Sequence, residues 1–314
     1  MDSRLLPDDV HALGPATFAE LGPEVAEAAV VWGAAKAHLH RRRHGRPGGP
    51  SLGSAPVPDA ASPTEPTAGT PGGGSLPDLT GVEGWLTLEQ AERLRRAAAA
   101  VPPGGRIVEI GSFRGRSTIV LATAAADGVE VIAIDPHGGG DRGPQEIAPD
   151  PVRGDADHAA FVANLERAGV AGRVRHVRSP SDRAHPHVAD PLDLLYVDGA
   201  HRFGPARHDL AAWGDRVRPG GLMLVHDAFS SIGVTLALWT TTAVSGRWRH
   251  RGRVGSLAAF ERVEPTRWGR LAQVGWHLAQ MPWFARNVAV KVLLSVGLGR
   301  LTPLLGHRSG DWPY

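Results

Sequence analysis

From residue 106 onward, short apolar runs alternate with segments whose apolar positions recur every three or four places. The runs occupy 107–110, 131–134, 174–177, 192–197 and 222–225. Each is too short for a helix, and all but 174–177 are too continuously apolar for a strand with one wet face. The intervening segments predict helices over about 117–126, 158–168 and 205–213. Such alternation predicts a parallel sheet covered on both faces. A further helix precedes the first run. Thr87-Leu88-Glu89-Gln90 has the form of a capping box, and Leu88, Ala91, Leu94 and Ala98 follow at helical spacing. Pro102-Pro103-Gly104-Gly105 ends it. After Ser230 the pattern fits a closing helix over 234–244 and a terminal strand pair, with 254–263 as its last member. The expected fold class is α/β: a doubly wound, mostly parallel seven-stranded sheet with helical N- and C-terminal appendages.

The flanks read differently. Residues 1–44 form an N-terminal segment with an Ala-rich helix expected over 16–40, followed by the basic run 40–44. Residues 45–80 are mostly Gly, Pro, Ser, Thr and Ala, too poor in large apolar side chains to offset the cost of ordering, and read as a disordered linker. The folded domain is expected over 81–264. Residues 265–314 form a basic, Trp-rich segment in which Arg270, Gln273, His277 and Gln280 make a polar stripe beside Leu271, Val274, Leu278 and Met281. Two readings stay open for it: a helix lying on an anionic membrane surface, or one packed on the core or at a homodimer interface.

Composition narrows the partners. The 34 Lys+Arg nearly balance 32 Asp+Glu, which gives no whole-chain case for nucleic acid. The tail differs, with eleven basic and three acidic residues from Arg247 to Tyr314. Cysteine is absent, which excludes disulfides, thiolate metal sites and Cys nucleophiles. The N-terminus lacks a signal-peptide pattern, and no stretch reaches the length of a membrane span. A cytoplasmic location is expected, with peripheral contact at the inner membrane face as the extension the tail leaves open.

The chemistry gathers at the ends of the predicted strands: Glu109-Ile110-Gly111, Asp135, Asp198 and His226-Asp227. A strand, a glycine loop with Gly111 and Gly115, a helix, and a second strand ending in a carboxylate form the recipe for holding an adenosine-containing cofactor. Ligands of such sheets bind at the carboxyl ends of the strands.

Four phrases, at this spacing, resemble class I S-adenosylmethionine (SAM)-dependent methyltransferases, in particular the bacterial branch of macrocin-type and catechol-type O-methyltransferases. They are residues 108–117 (VEIGSFRGRS), 133–137 (AIDPH), 196–201 (YVDGAH) and 218–227 (RPGGLMLVHD). The resemblance spans about 84–263. It implies SAM as cofactor, with Gly111 and Ser112 against its methionine part and Glu109 orienting that loop. It implies further that Gly115 allows close approach, Ser117 receives the carboxylate at a helix start, Asp135 holds the ribose, and Ser181 lies near adenine. Asp198, which is also expected to contact the cofactor, and Asp227 fall where catechol-type relatives place metal carboxylates. His226 stands where an acid is usual, which weakens an oxygen-rich Mg²⁺ site and leaves a softer divalent cation, or none, open.

Methyl transfer to oxygen needs alignment and a deprotonated acceptor. His201 or His226 is the expected base. Asp209 is expected to pair with Arg207 or Arg216, and the loop 137–157 is a candidate lid. The acceptor implied is a small-molecule, saccharide or lipid-linked hydroxyl. The rival readings are a membrane-associated scaffold with a non-catalytic pocket, a same-fold sugar-modifying enzyme using another donor, and a nicotinamide-dependent oxidoreductase.

Overall fold

The computed structural model describes residues 74–140 and 148–307; the expected helix over 16–40 and the middle of the candidate lid lie outside them. The elements run α1 (Leu88–Ala99), β1 (Arg106–Ile110), α2 (Arg116–Ala124), β2 (Glu130–Ile134), α3 (Pro151–Arg167), β3 (Val174–Val177), β4 (Leu192–Val197), α4 (Phe203–His208), β5 (Val217–Val225), α5 (Ile232–Leu238), β6 (Trp248–Val254), β7 (Leu257–Arg262) and α6 (Arg267–Ser295). α4 and α5 each run on through a widened π turn, to Trp213 and Ala243.

One seven-stranded sheet has the order β3-β2-β1-β4-β5-β7-β6. β1 to β5 pair in parallel, and β7 runs antiparallel to both β5 and β6. The sheet is the doubly wound, mostly parallel one that the strand pattern predicts. A classic dinucleotide-binding sheet is ordered 3-2-1-4-5-6; the antiparallel β7 inserted beside β5 sets this sheet apart from it.

Side-chain alternation along the strands divides the core in two. Ile107, Val131, Ala133, Leu194, Tyr196 and Leu224 pack under α1 and α2, with Phe161 and Leu165 of α3. Val108, Ile110, Ile132, Leu195, Met223 and Phe260 pack under α4 and α5, with Trp276, Met281, Trp283 and Phe284 of α6 against them. Burial of such side chains contributes about 1.5–3 kcal/mol each, so both faces hold the strand ends in register.

Several boundaries differ from the sequence reading, each for a local reason. Leu79 is buried in the core and Leu76 packs on it, so ordered structure begins before residue 81. α3 starts at Pro151 rather than near 158, because the Asp150 side chain caps the Arg153 N–H and Pro151 sits where a missing N–H costs nothing. β5 reaches back to Val217 through the Pro219-Gly220 turn, with a register shift against β4. The capping box is present as expected: Gln90 N–H donates to Thr87 Oγ1 (3.3 Å) and Thr87 N–H to Gln90 Oε1 (3.0 Å). α6 packs on the domain with Gln273 and His277 of the predicted polar stripe facing inward and buried.

Candidate active site

β1 pairs with β2 on one side and β4 on the other, so their carboxyl ends open a crevice where the chain order switches direction. A cavity of about 740 Å³ lies there, within the range of small-molecule sites. Its wall includes Gly111, Ser112, Ser117, Asp135, Ser181, Asp198, His201, His226 and Asp227. Of the residues singled out in the sequence, Glu109 and Gly115 lie behind that wall.

The glycine loop is held from beneath. Gly111 has φ 85°, and a Cβ there would lie 2.2 Å from the Asp198 carbonyl oxygen. Its bareness therefore serves the close approach of the β1 and β4 ends. Gly115 (φ 86°) precedes α2 and faces Phe161, so close approach to a ligand is not its role. Asp135 accepts the N–H groups of Ser112 (3.0 Å) and Phe113 (2.9 Å) on one oxygen and that of His137 (2.7 Å) on the other. With about four acceptor sites on a carboxylate, room is left for a ribose hydroxyl while the loop stays anchored.

Glu109 is fully buried and takes hydrogen bonds from the hydroxyls of Ser117 and Thr118. Burial drives its pKa up to about 8, against the opposing effect of those bonds. Glu109 thus ties β1 to the first turn of α2, as a loop-orienting residue should. The same bond occupies the Ser117 hydroxyl, so only the exposed N–H groups of that turn remain to receive a carboxylate. The Ser112 hydroxyl is buried, lies on the cavity wall and has no hydrogen-bond partner among the described residues. A buried hydroxyl left this way is costly unless a ligand completes it.

At the β4 and β5 ends four titratable side chains converge. His201 Nε2 lies 3.0 Å from Asp227 Oδ2 and 3.9 Å from Asp198 Oδ1. His226 Nδ1 lies 3.2 Å from Asp198 Oδ1 and 3.7 Å from Asp227 Oδ1. Tyr196 donates its hydroxyl to the other Asp198 oxygen (3.0 Å). Asp227 has φ 55°, with Phe229 just beyond it at 56°, so the turn after β5 is left-handed at two non-glycine positions. Such conformations cost about 1–3 kcal/mol each and concentrate at functional sites.

Burial pulls the His201 pKa down, but the Asp227 charge and the bonds to both carboxylates outweigh it and leave it at about 9. Asp227 is held well below the usual carboxylate range: burial opposes ionisation, and the charges of His201, His226 and Lys291 overcome it. His226 is raised in the same way, chiefly by Asp198 acting against burial. Gln90 explains why. Its Nε2 donates to the Val254 carbonyl (3.5 Å) and its Oε1 accepts the Thr87 N–H (3.0 Å), which fixes the amide, and that Oε1 lies 3.3 Å from His226 Nε2. One ring nitrogen thus faces an amide oxygen and the other a carboxylate, both acceptors, which favours the protonated ring. His226 is a strut between Gln90 and Asp198, buried at 2 % side-chain exposure, whereas His201, at 26 %, faces the cavity.

The two carboxylates proposed as metal ligands are thus engaged by imidazoles. No group of three or more His, Cys, Asp or Glu among the described residues is arranged to hold a metal ion. The donors do not fit a resident cation.

Three parts of the site were not legible beforehand. Asp209 does not pair with arginine; it is buried on the cavity wall, accepts the Ser181 hydroxyl (2.6 Å), and is raised to about 6 by burial, offset in part by that bond. Arg216 turns away to Asp190 and the Val188 carbonyl. Arg116 clamps the segment before α1 through the carbonyls of Leu79 (3.0 Å), Val82 (2.7 Å) and Leu86 (3.1 Å), which carries Trp85 to the cavity beside Phe113. His137 (φ 46°) sets its ring nitrogen 2.8 Å from the Phe113 carbonyl and packs against His158, Phe161 and His176. Only the geometric label "Asp at a helix start" or "His after a strand-end acid" was available for these in sequence.

Residues 108–228 match the family model of a methyltransferase domain. Among solved structures, the chain is similar to the cofactor-bound protein Rv0187 from MTB, at 23% identity over 57% of this chain and 82% of that one, with a TM-score of 0.42. The O-methyltransferase TomG from Streptomyces achromogenes, involved in tomaymycin synthesis and solved with SAM, is 21% identical over 57% and 81%, with a TM-score of 0.42. The O-methyltransferase from Bacillus cereus solved with SAH is 18% identical over 59% and 84%, with a TM-score of 0.44. The matched stretch is thus similar to a methyltransferase domain.

Proposed function

We propose that this protein is a SAM-dependent methyltransferase that methylates a hydroxyl group of a small-molecule, saccharide or lipid-linked acceptor, with His201 as the base. The observation that carries the reading is the His201–Asp227 pair, 3.0 Å apart, at the mouth of the same cavity that holds the glycine loop and Asp135. SAM supplies, when bound, a methyl group already activated on a sulfonium. The chain's own contribution is alignment and proton removal. Ser112, the first turn of α2, Asp135 and the Ser181–Asp209 pair line the part of the cavity suited to an adenosine and amino-acid ligand. With Nε2–H held by Asp227, His201 accepts the proton of the acceptor hydroxyl at Nδ1, and Asp227 stabilises the imidazolium that results. A positive charge bound nearby lowers the proton affinity of His201, so the resting cation gives up its proton as the ligand enters. Asp198 and His226 hold the pair from the other side.

The test is transfer of labelled methyl from SAM to a panel of phenolic, saccharide and polyprenyl-linked hydroxyls by wild type and His201→Asn. A base of this kind contributes on the order of 10²–10⁴-fold. The variant should lose that much in kcat while keeping its affinity for S-adenosylhomocysteine. Equal transfer by both proteins would remove His201 from the reaction.

A further inference from the structure

The expected amphipathic tail is present in α6, but its faces are exchanged. Gln273 accepts the His250 N–H (3.1 Å), and His277 is buried against Thr242 and the Gln273 carbonyl. Further along, Asn287 donates to the Phe229 carbonyl (3.0 Å) and Lys291 to the Ser230 carbonyl (2.8 Å). α6 is therefore pinned to the turn that carries Asp227, and its outer face is a fixed part of the molecular surface.

That outer face is apolar. Trp268, Leu271, Gly275, Leu278, Pro282, Ala285, Ala289, Val292 and Val296 follow one another in alternating steps of three and four, the spacing of a single helix stripe. Trp268 is 81 % exposed, Leu271 61 % and Leu278 57 %. Ala272 and Ala279 widen the stripe, and both are exposed. A soluble surface rarely leaves so long an apolar stripe in water without use.

Charge selects the occupant. Residues 265–307 contain five Lys and Arg and no Asp or Glu. Arg267 and Arg270 stand exposed at one end of the stripe and Arg300 beyond the other. A second copy docked on this face would bring like charges together with no acid to match them. An anionic lipid surface matches both the apolar stripe and its cationic ends. The span is too weakly apolar to cross: no helix among the described residues is long and apolar enough for that.

We infer that α6 is a membrane-docking helix, whose Trp268–Leu271–Leu278 face lies in the headgroup layer of an anionic bilayer while its inner face holds the active-site turn.

The full chain is tested by co-sedimentation with phosphatidylcholine vesicles with and without phosphatidylglycerol. Binding is expected only with the anionic lipid and should weaken as salt rises. Leu271→Glu/Leu278→Glu changes two side chains that touch water, so the fold should survive; unaltered S-adenosylhomocysteine affinity checks this and separates a docking failure from a cofactor-site failure. This variant should lose vesicle binding by about tenfold or more. Arg267→Gln/Arg270→Gln should bind less tightly and with a shallower salt dependence. The inference is overturned if the wild type ignores anionic vesicles, whether it then sediments as a dimer that Leu278→Glu dissociates or stays a monomer. Binding that survives the double glutamate variant overturns it too.

Discussion

Replacing Asp227 with Asn should take the proton from His201 at neutral pH. In the wild type, His201 is carried from 6.5 to about 9 against the effect of its own burial. That net rise of about 2.5 units corresponds to roughly 3.4 kcal/mol of preference for the cation. The largest favourable contribution comes from Asp227, 3.0 Å away, with Asp198 at 3.9 Å as the second carboxylate. Without Asp227, burial and His226 act against one more distant carboxylate. His201 should then titrate at or below about 6.5, so at pH 7.5 its neutral fraction rises from about 3 % to about 90 %. Asn suits the test because position 227 has φ 55°, where Asn is among the few residues at ease. The assay is the histidine Cε1 proton titration by NMR from pH 5 to 10, with His201→Asn assigning the resonance. Activity should fall despite the freer base, because the imidazolium formed in the reaction loses its counter-charge. A wild-type His201 titrating near 6.5, or a shift below about one unit in Asp227→Asn, would refute the reasoning.

Other outcomes follow from the same geometry. Gly111→Ala should destabilise the fold by about 3 kcal/mol or more in urea melts, since its Cβ meets the Asp198 carbonyl in a left-handed conformation; a wild-type midpoint would contradict this. Asp209, raised to about 6, contributes stability fully present below pH 3.8 and lost as pH rises through 6. Asp209→Asn should therefore flatten that stretch of the stability–pH curve, by roughly 3 kcal/mol, as read by denaturation at pH 4 and pH 7. Because Asp198 and Asp227 are engaged by imidazoles, a chelator should change kcat/KM by less than about twofold; a large loss restored by one divalent cation would return those carboxylates to a metal role.

How much of this could be read in the sequence depended on range. Local codes were readable: the Thr87–Gln90 box, the apolar strands, the strand-end groups and the Gly111 loop all stand where pattern and turn chemistry put them. Asp150-Pro151 was an equally local signal for the start of α3, obscured by the glycines and prolines before it. Long-range partnerships were not readable. Gln90 is spent twice, on its own helix cap and on His226, 136 residues away. Asp209 looked like a surface partner for arginine until the fold set Ser181 beside it. The tail misled for a different reason. Helical periodicity shows that two faces differ, not which one meets the core, and in α6 the polar face finds buried hydrogen bonds to β6, to the end of α5 and to the turn after β5.

The most direct test of the central claim is calorimetric titration of the purified protein with S-adenosylhomocysteine, beside NAD, repeated on Asp135→Ala. The account predicts micromolar binding of the former, none of the latter, and a loss of about tenfold or more in the variant, which has lost two backbone hydrogen bonds to the glycine loop and a third to His137. Absence of S-adenosylhomocysteine binding, or preference for NAD, would contradict it.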